Sequence, residues 1–320
     1  MRTTLLKHSV GVASIVARVR VNSVSKTTNI AVKLSLPGAA SEWVQQGKHE
    51  LAFYQRIAPL MPQIESRLVG GTASSRSWEL LFGDRSETHW CPPYGHVPST
   101  ASCLLAVRAL ARSHARWWNH ETELEALGGP RWILSPTTEA ERRESAIYEF
   151  VRSAGDGLAP SSIALLYTCA RSQRSLLERQ LRLPLTLGHG DAHWWNFLYP
   201  IRRRGHAMLV DWQTWEIAPG LNDLTRLLCL WWGPLRKRRW ELKFLRAYHQ
   251  TLTLNGVSDF SWQACVKAHR QFVLEMPFHP AIQWAEGSDY EIWRRTMRNA
   301  LWSVRALGGL APLAGIRSRR

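Results

Sequence analysis

Cysteine is scarce and unorganised in this chain. The five cysteines, Cys91, Cys103, Cys169, Cys229 and Cys265, lie far apart and form no CxxC pair. Their odd number and scatter argue against a disulfide framework and against structural zinc, and point to reduced thiols in a cytoplasmic protein. No run of about 18 apolar residues occurs, so no membrane span is expected. Met1 to Ser14 is basic but lacks an apolar core and a cleavage site, and is not read as a signal peptide. Internal repeats and low-complexity segments are missing. Acids are also few, 25 against 41 lysines and arginines, for a net charge of +16. Such an excess suits nucleic acid, an anionic membrane surface or an anionic small molecule. Arginine is spread along the whole chain, however, and its dense runs (Arg202–Arg204, Arg236–Arg239, Arg317–Arg320) are short. That spread favours a general compositional bias over a nucleic-acid face.

What is present is enough for one large domain or two lobes: 320 residues, 45% of them hydrophobic. Residues 1–36 have the valine- and isoleucine-rich pattern of strands, at Val10–Arg20 and Asn29–Ser35, with a polar turn at Lys26–Asn29. A helix is predicted from Ser41, as its N-cap, to Ile57. Leu51, Tyr54, Ile57 and Ala58 share one face of it. Trp78–Phe82 reads as a further strand, followed by a Pro-rich loop at Cys91–Pro98. From Ser99 the period becomes helical. Leu104, Val107, Leu110, Ala111, His114, Trp117 and Trp118 recur at three- and four-residue spacing, and His114 on that face is read as a core histidine. Further helices are predicted at Glu139–Ser153, Ser161–Leu181, from a capping Asn222 onward, Lys237–Leu254 ended by Asn255-Gly256, Ser261–Leu274 and Asp289–Leu307.

The chain is organised around Leu187–Trp215. An apolar approach leads into the polar cluster His189-Gly190-Asp191-Ala192-His193, and Asn196 follows. Two short apolar runs, Phe197–Tyr199 and Ala207–Val210, flank a basic turn, and Asp211 ends the second run. The local reading is a hairpin that brings Asp191, Asn196 and Asp211 to one mouth. Two carboxylates and an amide are hard oxygen ligands, better suited to Mg²⁺ than to zinc.

The pattern His189-Gly190-Asp191-Ala192-His193-Trp194-Trp195-Asn196, followed by Val210-Asp211-Trp212-Gln213, resembles the catalytic and metal loops of kinase-like small-molecule phosphotransferases. Aminoglycoside, choline and ecdysteroid-type kinases form that group. The Asp-to-Asn spacing also matches the catalytic loop of protein kinases. No separate D-F-G, A-P-E or activation segment accompanies it, which disfavours protein-kinase activity. The resemblance implies an α+β, protein-kinase-like bilobal fold. Residues 1–84 would form a small N-terminal β-sheet lobe with one helix, and 85–320 a larger, mainly helical lobe. It implies ATP and Mg²⁺ as cofactors. Asp191 would orient the acceptor hydroxyl, and Asn196 and Asp211 would hold the metal. Lys33, in Ala31-Val32-Lys33, would grip the α- and β-phosphates with Glu50 as its partner. Gly11, in His8–Ser14, stands where a phosphate-covering glycine loop is expected, though with one glycine where the family has several. Phe82 ends the strand whose backbone would meet the adenine, next to Gly83 where the family often has an acid. His189 and His193 would brace the loop, and Asp223 would anchor it.

The acceptor is not specified by these motifs beyond a small molecule with a hydroxyl. Seventeen tryptophans are many for this length. Trp194, Trp195 and Trp215 flank the motifs and could wall a pocket for a quaternary ammonium or a flat polycyclic alcohol. Trp231 fits a core stripe instead. Few acids make a polycationic aminoglycoside a less natural acceptor. Two other readings stay open: a nucleotide-binding pseudoenzyme or scaffold, and a basic nucleic-acid-binding protein of the same fold.

Overall fold

The computed structural model describes residues 2–10, 14–23, 27–61, 67–202 and 205–307. Gly11, Val12 and Ala13 of the expected glycine-loop segment lie outside the described residues, as do Lys26, Arg203, Arg204 and the basic tail. The chain divides into two compact units. One comprises residues 1–116, 122–130 and 189–216; the other comprises 117–121, 131–188 and 217–320.

The first unit opens with three strands, β1 (Arg2–Val10), β2 (Ser14–Asn22) and β3 (Thr27–Ser35), then α1 (Ser41–Arg56), β4 (Leu68–Ala73) and β5 (Trp78–Gly83). The strands form one antiparallel sheet in the order β1-β2-β3-β5-β4. Both edge strands were missing from the sequence pattern, for physical reasons. In β1, Thr3–Ser9 are all exposed, so no inward face alternates. In β4, Gly70 and Gly71 dilute the apolar signal, and a side chain at Gly71 would strike Leu51 at 2.8 Å. The expected strand from Val10 starts at Ser14 in the structure.

α1 buries Val44, Gly47, Glu50, Leu51, Phe53 and Tyr54. Ser41 is its first helical residue, not its cap: Ala40 holds the cap position, and no side chain caps the end. The helix can lie close because of Gly47, where a Cβ would sit 2.2 Å from the Trp78 ring. The unit continues with β6 (His89–Trp90), α2 (Thr100–Arg116) and most of α3 (Glu121–Ala126). α2 buries Val107, Leu110, Ala111 and His114 of the predicted face, with Cys103 and Ala106 beside them, while Leu104 is half-buried.

In the second unit, α4 (Pro136–Ala154) is capped by Ser135, whose Oγ accepts from the Thr138 N–H. α5 (Pro160–Arg171) and α6 (Gln173–Gln180) replace the single helix expected over 161–181. Ser172 separates them, its hydroxyl donating back to the Thr168 carbonyl at 2.8 Å, a bond that competes with helix continuation. β7 (Thr186–Gly188) then leads to the central stretch. That stretch belongs to the first unit; in it β8 (Phe197–Pro200) and β9 (Met208–Leu209) pair antiparallel, and β10 (Glu216–Ala218) follows. α7 (Leu221–Trp231) starts one residue before Asn222, so that residue lies inside the helix and Gly220 takes the cap position. α8 (Pro234–Leu254) ends at Asn255, with Gly256 at φ +98°. α9 (Trp262–Glu275) is capped by Ser261, and α10 (Phe278–Ala285) and α11 (Tyr290–Ala306) complete the second unit. α7, almost entirely buried, packs on α9 and α11. The mixed α+β architecture expected from the resemblance is the one observed, an antiparallel sheet at the N-terminus and a mainly helical remainder. Among the described residues no helix is long and apolar enough to cross a membrane.

Candidate active site

Strand pairing fixes Lys33. In β3 it stands opposite Val16 of β2 and Leu80 of β5, in the middle of the sheet. Its side chain is almost wholly buried and lies over the Trp78 ring, 5.6 Å from the centroid. An ammonium placed there needs carboxylates, since a buried unpaired charge is very costly. Two supply it. Glu50, on the inner face of α1, accepts at 2.6 Å, and Asp211 accepts at 2.8 Å. Burial alone would lower the Lys33 ammonium's affinity for its proton. The two carboxylates outweigh it and hold the group well above the ordinary lysine range. Glu50 is the more strained partner. Burial pushes its carboxyl upward, Lys33 resists, and the charge of Asp211 adds to the push. Asp211 is the one of the three with solvent access, its side chain 31% exposed.

Asp211 sits at the end of the β8–β9 hairpin with φ +68°, a left-handed conformation that Asp tolerates better than most residues. The hairpin ties it to the preceding loop. The Val210 N–H donates to the Asn196 carbonyl at 3.0 Å. The Asn196 side-chain amide donates to the Asp191 carbonyl at 3.0 Å. His189 is buried, its Nε2 donating to the Val210 carbonyl at 3.0 Å, while Thr214 donates to the His189 carbonyl at 3.2 Å. Gly190 has φ +78°, and a Cβ there would stand 2.0 Å from the Thr214 carbonyl oxygen. Only glycine permits this crossing of the two segments. Asp191 is thus presented with its side chain 43% exposed, and His193 Nε2 lies 3.4 Å from its Oδ2.

Aromatic rings join α1 to the stretch after Asp211. Phe53 stacks on Trp212 at 4.2 Å. His49 stacks on Trp215 at 4.7 Å and 3°. The bond pattern there is reciprocal: Trp215 Nε1 donates to the His49 carbonyl, and His49 Nε2 donates to the Trp215 carbonyl. Sequence reasoning missed this clasp, although His49 directly precedes Glu50. Trp215, expected at an acceptor wall, is 1% exposed and belongs to the clasp; Trp194 is 0% exposed, with its carbonyl accepting from Tyr199. Trp195 stands nearer solvent. It stacks on His193 at 4.6 Å and meets the exposed Tyr94 ring edge-on at 5.0 Å. Tyr94 was another residue the sequence did not single out.

Phe82, expected to end its strand, is the last residue but one of β5 and is half-buried, its ring edge against Tyr54. The residue two further on, Asp84, was also missed. It accepts two bonds from Arg18, at 2.8 and 3.0 Å, and one from the Ser86 N–H. Burial would raise its carboxyl, but these donors hold it below the usual range. Asp223 lies in the second unit, buried in the first turn of α7.

A second polar cluster lies in that unit. Glu241 accepts from His269 Nε2 at 2.7 Å and from the Lys237 ammonium, and His269 Nδ1 accepts from Thr225 at 2.8 Å. Burial would raise the Glu241 carboxyl, yet His269 and Lys237 hold it down at about 2. Cys229 is beside it, its thiol pushed up to about 11 by burial. Lys237 already supplies the positive charge and both His269 nitrogens are engaged. The cluster is a closed polar network within the helical core.

The fold that positions Lys33, Glu50 and Asp211 is that of kinase-like phosphotransferases. The chain superposes on the GDP complex of aminoglycoside 2'-phosphotransferase-IIIa with a TM-score of 0.62 at 12% identity, covering 96% of this chain and 93% of that one. With ethanolamine kinase of Plasmodium vivax the TM-score is 0.57 at 12% identity, over 96% and 83% of the two chains. With choline kinase LicA of Streptococcus pneumoniae it is 0.55 at 14% identity, over 94% of each. In sequence, the model of the ecdysteroid kinase-like family matches residues 162–256, the segment that holds His189–Asn196 and Asp211. No curated protein matches the chain. These likenesses bear out the resemblance drawn from the motifs.

Proposed function

We propose that this chain is an ATP-dependent phosphotransferase that moves the γ-phosphate to a hydroxyl of a small molecule. The observation that carries the reading is the Lys33 ammonium, buried and shared between Glu50 at 2.6 Å and Asp211 at 2.8 Å, 17 and 178 residues away in the chain. A lysine held charged by a helix carboxylate and pointed at a half-exposed aspartate is a phosphate grip next to a metal ligand. The GDP and AMP complexes of similar structures support a nucleotide as ligand.

Each residue then has a task. Lys33, steadied by Glu50, neutralises the α- and β-phosphates. Asp211 and Asn196 offer hard oxygen donors suited to Mg²⁺. When bound there, the metal supplies charge neutralisation to the phosphates. Asp191 accepts the hydrogen bond of the acceptor hydroxyl and takes its proton as the oxygen attacks. His189 holds the loop against Val210, and Gly190 lets it cross Thr214. Phe82 offers its strand end to the base, and Gly11 would cover the phosphates. Residues 1–84 act as the nucleotide lobe and 85–320 as the acceptor lobe. Trp195 with Tyr94 forms the aromatic wall beside Asp191, fit for an acceptor with a flat or cationic face. The setting proposed is cytoplasmic.

Asp191→Ala tests this reading. ADP release with the cognate hydroxyl compound, found by screening a panel of hydroxylated metabolites, is expected to fall by about 10²–10⁴-fold, the share usual for a positioned base. Mg-ATP is still expected to raise the melting temperature. Retained turnover in the variant refutes the base assignment, and an absence of any Mg-ATP stabilisation in the wild type refutes the reading as a whole.

A further inference from the structure

We propose that the second unit carries an anion-binding cavity, formed by the start of α5 and one face of α11, that takes a small phosphorylated molecule. It shares no residue with the Lys33 site and serves a ligand beyond the proposed reaction. The cavity measures about 440 Å³, within the range of small-ligand sites. Arg294, Arg298 and Arg305 line it together with Arg295, and Glu291 is the one acid among its lining residues. Four guanidiniums against one carboxylate leave a surplus of three positive charges.

The spacing of the arginines is specific. Arg294, Arg298 and Arg305 are four and seven residues apart on α11, so they project from one face. Like charges four apart on a helix repel and weaken it. Among the described residues no carboxylate pairs with any of these three. Arg305 is fixed where it stands, its Nη2 donating to the buried Ser162 Oγ at 2.5 Å. Arg295 lies over the Trp231 ring at 5.5 Å, and Arg294 over Tyr290 at 5.4 Å. The start of α5 adds the positive end of its dipole. The arginines are thus gathered on a concave wall and partly immobilised on rings and a hydroxyl.

Guanidinium forks match phosphate oxygens two at a time, which lysine cannot do. A concave, local cavity with four lining arginines suits a compact polyanion. A nucleic-acid strand would need a basic track extending past the cavity, with stacking rings along it.

The test is isothermal calorimetry of the full chain with inorganic tripolyphosphate, at physiological salt and in saturating Mg-ATP. Wild type is compared with Arg294→Gln/Arg298→Gln. Both arginines are exposed, so the change leaves the core untouched. A binding event at least tenfold weaker in the double variant, with Mg-ATP stabilisation unchanged, is the expected result. Arg294→Lys/Arg298→Lys keeps the charge and removes the fork, and is expected to weaken the same event severalfold. Equal affinity in all three proteins overturns the proposal, as does no binding to the wild type. Displacement of tripolyphosphate by a short oligouridine that binds more tightly overturns the small-molecule assignment in favour of RNA.

Discussion

Asp211→Asn separates the proposed metal role of this residue from its structural one. Asn is nearly isosteric and is among the few residues that accept the left-handed φ of +68° found at position 211, so the backbone is spared. Asp211→Ala would add about 1–2 kcal/mol of strain there. The substitution removes one of the two charges bound to Lys33. Breaking a fully buried pair costs about 3–5 kcal/mol, and an exposed one at most about 1 kcal/mol. Asp211 is 31% exposed and Lys33 keeps Glu50, so the loss belongs between these limits, at about 1–2 kcal/mol. Chemical denaturation followed by tryptophan fluorescence reads it. The ligand effects differ with metal. Mg-ATP is expected to bind at least tenfold more weakly, about 1.4 kcal/mol. ATP in EDTA should bind as well as to the wild type or better, because Lys33 is freed from a competing carboxylate. A variant whose calorimetric affinities for ATP with and without Mg²⁺ differ by the wild-type ratio refutes the reasoning.

Other outcomes follow from the same geometry. Gly190→Ala should cripple turnover and lower stability by at least about 2 kcal/mol, since its Cβ would stand 2.0 Å from the Thr214 carbonyl at a positive φ; unchanged activity and denaturation midpoint contradict the crossing. Glu241→Gln leaves the Lys237 ammonium without its carboxylate and should cost about 3–5 kcal/mol, read by denaturant titration. The pH course has a definite sign. The Glu241 carboxyl is depressed to about 2 on folding, so its stabilisation is full above the ordinary carboxylate range and is lost as pH falls toward 2. Glu241→Gln should flatten that acid slope, and a slope as steep as the wild type's contradicts the pairing. Asp84→Ala should weaken the sheet only modestly, by about 1 kcal/mol, because Arg18 is partly exposed.

Much of the site could be read from residue order, because its chemistry is packed into short motifs. Lys33 amid β-branched neighbours, Glu50 on a helix face, and the Asp191–Asn196–Asp211 spacing each gave a local signal. The structure brings Lys33, Glu50 and Asp211 within hydrogen-bonding reach. The clasp of His49 and Phe53 on Trp215 and Trp212 gave none, since it joins a helix to a loop about 160 residues later through ring stacking. Trp215 was read as an acceptor contact because a sequence does not distinguish a ring buried against a helix from one facing a cleft. The strands at the sheet edges escaped for a different reason. An exposed strand such as β1 has no buried face to alternate, and β4 carries glycines in place of apolar residues. Helix ends moved by a residue at Ser41 and Asn222, where Ala40 and Gly220 take the cap positions and no side chain caps the end.

The central claim is that Asn196 and Asp211 hold a divalent cation against nucleotide phosphates gripped by Lys33. Anomalous diffraction from crystals grown with Mn²⁺ and a non-hydrolysable ATP analogue tests it most directly. The account predicts an anomalous peak within coordination distance, about 2.0–2.3 Å, of both the Asp211 carboxylate and the Asn196 side-chain oxygen, with Lys33 on the phosphates. A nucleotide bound with its metal held by other residues, or with Lys33 still on Asp211, would contradict it.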